Sequence, residues 1–142
     1  IATNVGIHLF DLLLWLFGST ERCEVHLSEP DRMAGALILE RADVRWFLSV
    51  RRSDLPSAPD GHDSTYRSIS IDGDQVEFSG GFTDLHTRTY QEILAGRGFG
   101  IDVARPSVEL VHRIRTAPVD RRHLPPHPLA IDAGRGDGDC CP

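Results

Sequence analysis

The chain has 142 residues, 40% of them hydrophobic and 25% charged, with a formal net charge of −6. That is enough apolar material for one soluble core, and the longest apolar run, Leu12 to Phe17, is far shorter than the ~18 residues of a membrane span. An acidic balance with no basic face argues against nucleic acid as a partner, and no basic stretch leads into an apolar one as in a signal peptide. Three cysteines in no pattern fit a reducing, cytoplasmic compartment. All 15 basic residues are arginine, so chemistry that needs a lysine is incomplete within this chain. The chain opens on Ile1 and its one methionine is Met33, so a C-terminal piece of something longer is expected.

Thr3 to Phe17 is predicted as a helix, capped by Thr3 or Asn4 and closed by Gly18 in a left-handed C′ position. It is so apolar that burial on most sides is expected, with Asn4, His8 and Asp11 sharing one polar stripe. From Glu21 the period changes to two. Cys23, Val25 and Leu27 alternate with Arg22, Glu24 and His26, the pattern of a half-buried strand. Residues 34–40 and 44–50 follow as a hairpin joined at Arg41-Ala42-Asp43, and 53–64 as a loop. Asp72-Gly73 marks a second hairpin between 66–71 and 75–79.

Two helices are predicted next. The first starts at Thr83 or Asp84, carries Leu85, Tyr90, Ile93 and Leu94 near one face, and stops at Gly96. The second is capped by Asp102, has Pro106 in its first turns, and presents Val108, Leu110, Val111 and Ile114. Residues 119–142, rich in Pro and then in Gly and Asp, are expected to be a disordered or non-native tail. The fold class is therefore α+β, an open, mostly antiparallel sheet with helices on one face.

Among candidate chemistry, the Asn4/His8/Asp11 stripe ranks first. A histidine titrates near neutral pH and can take a proton from a substrate hydroxyl, with Asp11 orienting its ring and Asn4 binding a polar ligand. The same residues also read as a polar patch satisfied by neighbouring strands. His8 and Asp11 supply only two metal ligands, so no metal is expected. Arg51 at a strand end, and Tyr66 and Arg67 after the loop, could bind a phosphate or carboxylate bidentately or be a solvated strand end. His86 and His112 are expected at the surface. Gly96-Arg97-Gly98-Phe99-Gly100 follows a helix rather than a strand, the wrong context for a dinucleotide loop.

Asn4-Val5-Gly6-Ile7-His8-Leu9-Phe10-Asp11, with the run to Trp15-Leu16-Phe17-Gly18, resembles the H-x-x-D helix of the Gfo/Idh/MocA oxidoreductases. Val25-His26-Leu27-Ser28-Glu29-Pro30, residues 44–50 (VRWFLSV), residues 65–69 (TYRSI) and the stretches 81–87, 93–101 and 109–115 resemble one subfamily, the UDP-N-acetyl-2-amino-2-deoxyglucuronate 3-dehydrogenases of bacterial surface-polysaccharide synthesis. The resemblance runs from Ile1 to about Pro118. It implies a substrate-binding and oligomerisation domain over 1–118, with the NAD-binding Rossmann half and its Glu-Lys-Pro lysine absent and no cofactor bound by this chain alone. It also implies a UDP-sugar substrate, a catalytic role for His8 with Asn4 beside it, and a homo-oligomer formed through the sheet face; Asn4, Asp11, Arg51, Tyr66 and Arg67 are the expected substrate contacts. Asn4 stands where many superfamily members have Asp. Three other readings stay open: a relative acting on a free sugar or inositol, a stand-alone, non-catalytic sheet module, and a truncated, non-functional gene product.

Overall fold

Short turns and alternating side chains dictate most of the architecture seen in a computed structural model, which describes residues 1–56, 65–80 and 84–133. A π-helical turn, Ala2–Gly6, runs into α1 (Ile7–Phe17), followed by β1 (Thr20–Ser28), β2 (Arg32–Leu39) and β3 (Ala42–Ser49). Then come β4 (Ser68–Ile71), β5 (Asp74–Glu77), α2 (Leu85–Leu94), α3 (Ile101–Thr116) and α4 (Pro128–Ala133). The chain divides into two compact units, one of Ile1–Val50 with Ile101–Pro142 and the other of Arg51–Gly100. The five expected strands all form, but as two antiparallel sheets, β1-β2-β3 in the first unit and β4-β5 in the second.

In the first unit, Phe10 and Leu13 of α1 and Leu110, Val111 and Ile114 of α3 pack on one face of the sheet, against Val25, Met33, Leu37, Leu39, Trp46 and Leu48. The Phe10 ring meets the Trp46 ring edge-to-face, with centroids 5.2 Å apart. Four sequence expectations change here. Helical geometry begins at Ala2, so Thr3 and Asn4 lie inside the first turn and no side chain caps the helix. Gly18 has a positive φ of 89° but an extended ψ of −168°, a region open to glycine rather than the left-handed helical one. One face of α1 is open, with Trp15 79% exposed, because one helix and one sheet cover only its other side. In α3, Ser107 rather than Val108 turns inward, since 107, 110, 111 and 114 lie on one stripe.

The largest correction concerns β1. Val25 faces Gly35 and Leu27 faces Ala34, which leaves His26 as an extra, bulged residue. The bulge reverses the inward–outward order, so Leu27 joins Ala34, Phe47 and Ala130 on the sheet's outer face instead of following Val25. Glu24 and His26, expected in solvent, are buried. The cover comes from the residues expected to be disordered. Val119 bridges Val25 in parallel, and the Asp120 N–H donates to the Val25 carbonyl at 2.8 Å. Beyond them α4 seats Ala130 over the outer face, so helical structure lies on both faces rather than one. Residues 134–142 lie outside those described.

The second unit is a hairpin and a helix. Asp72 and Gly73 take φ values of 51° and 98°, as a two-residue turn of the expected kind requires. Back in the first unit, the β2–β3 turn sits at Glu40-Arg41, one residue before the expected link, because Leu39 pairs with Ala42. The helix α2 ends as predicted at Gly96, where the Gly96 and Arg97 N–H groups bond back to Ile93 and Glu92. Leu85, Tyr90, Ile93 and Leu94 are all exposed, so its apolar side adds no residue to a core. The predicted start at Thr83 lies outside the described residues.

Gly35 lies opposite Trp46, and a Cβ there would overlap the Glu24 carbonyl oxygen and come within 2.7 Å of the Trp46 ring. Because the nearest atom belongs to a paired backbone, Gly35→Ala should lower stability by about 1–3 kcal/mol in denaturant titration. Gly80→Ala, with open space around it, should leave stability near the wild-type value.

Candidate active site at the start of the first helix

Asn4 lies in the π turn and His8 in the first turn of α1, and both are exposed. The turn is widened because Ile1 O accepts from both the Val5 N–H at 2.9 Å and the Gly6 N–H at 3.3 Å, the second bond reaching back five residues. Such π segments recur at functional sites. Gly6 lets the turn sit close on the core: a Cβ there would lie 2.7 Å from the Leu48 side chain and 2.9 Å from the Phe10 ring. The backbone carrying Asn4 and His8 is thus anchored from below while their side chains face outward.

Asp11 is on the next turn, where its carboxylate accepts a short hydrogen bond from the Ser107 hydroxyl of α3. Ser107 is buried. All three residues of the stripe are exposed, and Asp11 joins α1 to α3 through this bond. The expected Asp11–His8 pairing is not among the hydrogen bonds of the described residues. Ser107 went unnoticed in the sequence, although it is the one polar residue on the apolar stripe it shares with Leu110, Val111 and Ile114. That mismatch was the available signal.

Arg51, Tyr66 and Arg67 belong to the second unit, so the six expected site residues do not all fall within one unit. Arg51 is half-buried, and its carbonyl accepts from the Asp54 N–H at 3.2 Å. The Tyr66 hydroxyl accepts from the Gln75 side chain. Arg67 brackets the base of the hairpin: its backbone N–H donates to Ser79 Oγ at 2.9 Å and its guanidinium to the Ser79 carbonyl at 3.2 Å. His86 and His112 are exposed on α2 and α3.

A second polar cluster, which alternation had assigned to solvent, is buried on β1. The Glu24 carboxylate forms an ion pair with Arg22 at 2.8 Å and accepts the Leu124 N–H at 2.9 Å. His26 Nε2 lies 3.6 Å from the same carboxylate, and the His26 carbonyl accepts from Arg121 Nε at 2.6 Å. Beside it, burial pushes the Cys23 thiol up, against the opposing pull of Arg113, which leaves it a poor nucleophile.

No family model matches this sequence. The structure does have close likenesses among solved proteins. It is similar to the WlbA (WbpB) dehydrogenase from Thermus thermophilus in complex with NAD and alpha-ketoglutarate, at 49% identity over 92% of this chain with a TM-score of 0.80. It is equally similar to that dehydrogenase in complex with NAD and UDP-GlcNAcA, at 48% identity over 90% of the chain with a TM-score of 0.79. Both likenesses are to WlbA dehydrogenases, proteins of Gfo/Idh/MocA type. It spans 41% and 40% of the lengths of those two proteins. The resemblance carried by the Asn4–Asp11 helix is thereby borne out, as is the mixed helix-and-sheet fold class.

Among the described residues the five strands pair antiparallel, and the glycine run 96–100 follows α2 rather than a strand.

If the Ser107–Asp11 bond clips the two helices, Ser107→Ala and Asp11→Asn should each destabilise by about 1 kcal/mol. The double variant should cost less than the sum of the two, as a thermal or chemical denaturation cycle would show.

Proposed function

We propose that this chain supplies the substrate side of an NAD-dependent dehydrogenase that oxidises the C3 hydroxyl of a UDP-linked N-acetylated uronic acid. The observation that carries this reading is the 48% identity to a dehydrogenase whose complex holds NAD and UDP-GlcNAcA. Supporting it, the strongest sequence candidate, His8, stands exposed in the first turn of α1, just after the π turn, where a sugar can reach it.

In this reading His8 takes the proton from the sugar hydroxyl, and the exposed Asn4 amide hydrogen-bonds a neighbouring sugar group. Asp11 acts through the helix, holding α1 against α3 so that the His8 backbone does not shift on substrate binding. The substrate roles of Arg51, Tyr66 and Arg67 remain part of the proposal, the arginines as partners for the diphosphate or uronate charge. NAD accepts the hydride, and a dinucleotide-binding domain such as completes this type of dehydrogenase holds it. Substrate positioning and cofactor binding are then divided between domains, and this chain alone turns nothing over.

Three measurements test the reading. UDP-GlcNAcA added to the chain should shift the NMR signals of Asn4 and His8, while the free N-acetylated uronic acid should shift them far less; equal responses would favour a relative acting on free sugars. The chain alone should give no NAD⁺ reduction. In the complete dehydrogenase His8→Ala should lower kcat by ~10²–10⁴ with the fold intact by circular dichroism. Normal specific activity in that variant would make His8 a structural residue.

A further inference from the structure

Residues 119–131 cross β1 and end over the outer face of the sheet, yet hold it by few bonds. Three prolines, Pro125, Pro126 and Pro128, deprive them of backbone donors. Their anchors at one end are the Asp120 N–H on the Val25 carbonyl, Arg121 Nε on the His26 carbonyl and the Leu124 N–H on the Glu24 carboxylate. At the other end the His127 ring stacks on Phe47 of β3, with centroids 5.7 Å apart and planes 23° from parallel. Ala130 fills the space between Leu27, Ala34 and Phe47 and is 2% exposed.

The ring has a second duty. His127 immediately precedes α4, and its Nδ1 accepts the Leu129 N–H at 3.2 Å, an N-capping bond made by an imidazole. That bond exists only while Nδ1 carries no proton. Protonation would turn the acceptor into a donor facing a donor, and would place a positive charge at the start of a helix, the end that repels one.

We propose that residues 119–131 form an acid-released strap, with the His127 ring as the latch that holds it over the outer face of the sheet.

The charged surroundings favour release in the same direction. Burial, and then the positive charge of Arg45 on β3, hold the His127 imidazole below the ordinary histidine value. Docking therefore favours the neutral ring. The stabilisation it brings is complete above the ordinary value and is lost as the pH falls through the lowered one. The titratable and charged groups facing the strap are Arg45 from β3, Arg22, Glu24 and His26 from β1, and Asp120, Arg121, Arg122 and His123 along the strap itself. Asp120 is held strongly acidic by its hydrogen bonds from Arg122, so it stays charged through the range in which His127 titrates. Release exposes an apolar strip of Leu27, Ala34 and Phe47 without touching Phe10 or Trp46 on the opposite face.

The test is an NMR pH titration of the full chain from pH 8 to pH 5, following the His127 ring, the Ala130 methyl and the Trp46 indole. The strap predicts that the first two move together with a midpoint below roughly 6.5, the ordinary histidine value, while Trp46 stays put. His127→Asn keeps a neutral capping acceptor and should abolish the Ala130 transition, leaving the strap docked at pH 5. An Ala130 signal unmoved while His127 titrates, a transition that survives in His127→Asn, or simultaneous loss of the Trp46 signal would each overturn the proposal. The wild-type titration decides the matter by itself if the variant does not fold.

Discussion

One extra residue in β1 decides what lies on each side of the sheet. Without the bulge at His26, Val25 and Leu27 would point the same way, and the outer face would carry Glu24, His26 and Ser28 as an ordinary wet surface. With it, Leu27 moves to the outer face and joins Ala34 and Phe47 in a small apolar strip. An apolar strip of that size is worth covering, and residues 119–131 cover it. Burying Glu24 and His26 follows from the same step. The Glu24 carboxylate is then met by Arg22 and the Leu124 N–H rather than by water, while the buried His26 ring nitrogens have no hydrogen-bond partner among the described residues.

The inner face is organised differently. Trp46 and Phe10 meet edge-to-face at its centre, and Gly35, opposite Trp46, provides the room for the indole. Because α1 is held here by Phe10 and Leu13, the π turn before it is anchored while its polar side remains open. In the proposed function, that support beneath an exposed side chain is what positions the sugar hydroxyl. The clip from Ser107 to Asp11 adds a second fixed point, on the neighbouring helix. Stability and site geometry thus draw on the same few contacts at the start of α1.

The two units carry different kinds of candidate residue. The first holds Asn4, His8 and Asp11, whose chemistry is proton transfer and hydrogen bonding. The second holds Arg51, Tyr66 and Arg67, two of them charge-bearing, and there the partners of Tyr66 and Arg67 brace a short hairpin. The relatives' greater length accommodates the division of labour proposed above, in which cofactor and substrate are held by different domains.

Much of this was legible in the sequence, and the parts that were share a cause. Hairpins at Asp72-Gly73 and near Arg41, the stop at Gly96 and the apolar body of α1 are local: backbone conformational limits and side-chain period determine them within a few residues. The Asn4–Asp11 motif carried the resemblance for the same reason, since its spacing lies within two helical turns. What only the tertiary structure decided was long-range. A bulge is one residue of register, and register depends on the partner strand, so alternation alone sent Glu24 and His26 to solvent. Ser107 finds Asp11 across 96 positions of sequence, and the proline-rich segment became ordered because a sheet face far upstream offered it something to bury. Local preference determines which elements form; the competition to cover apolar surface determines which of their faces ever meets water.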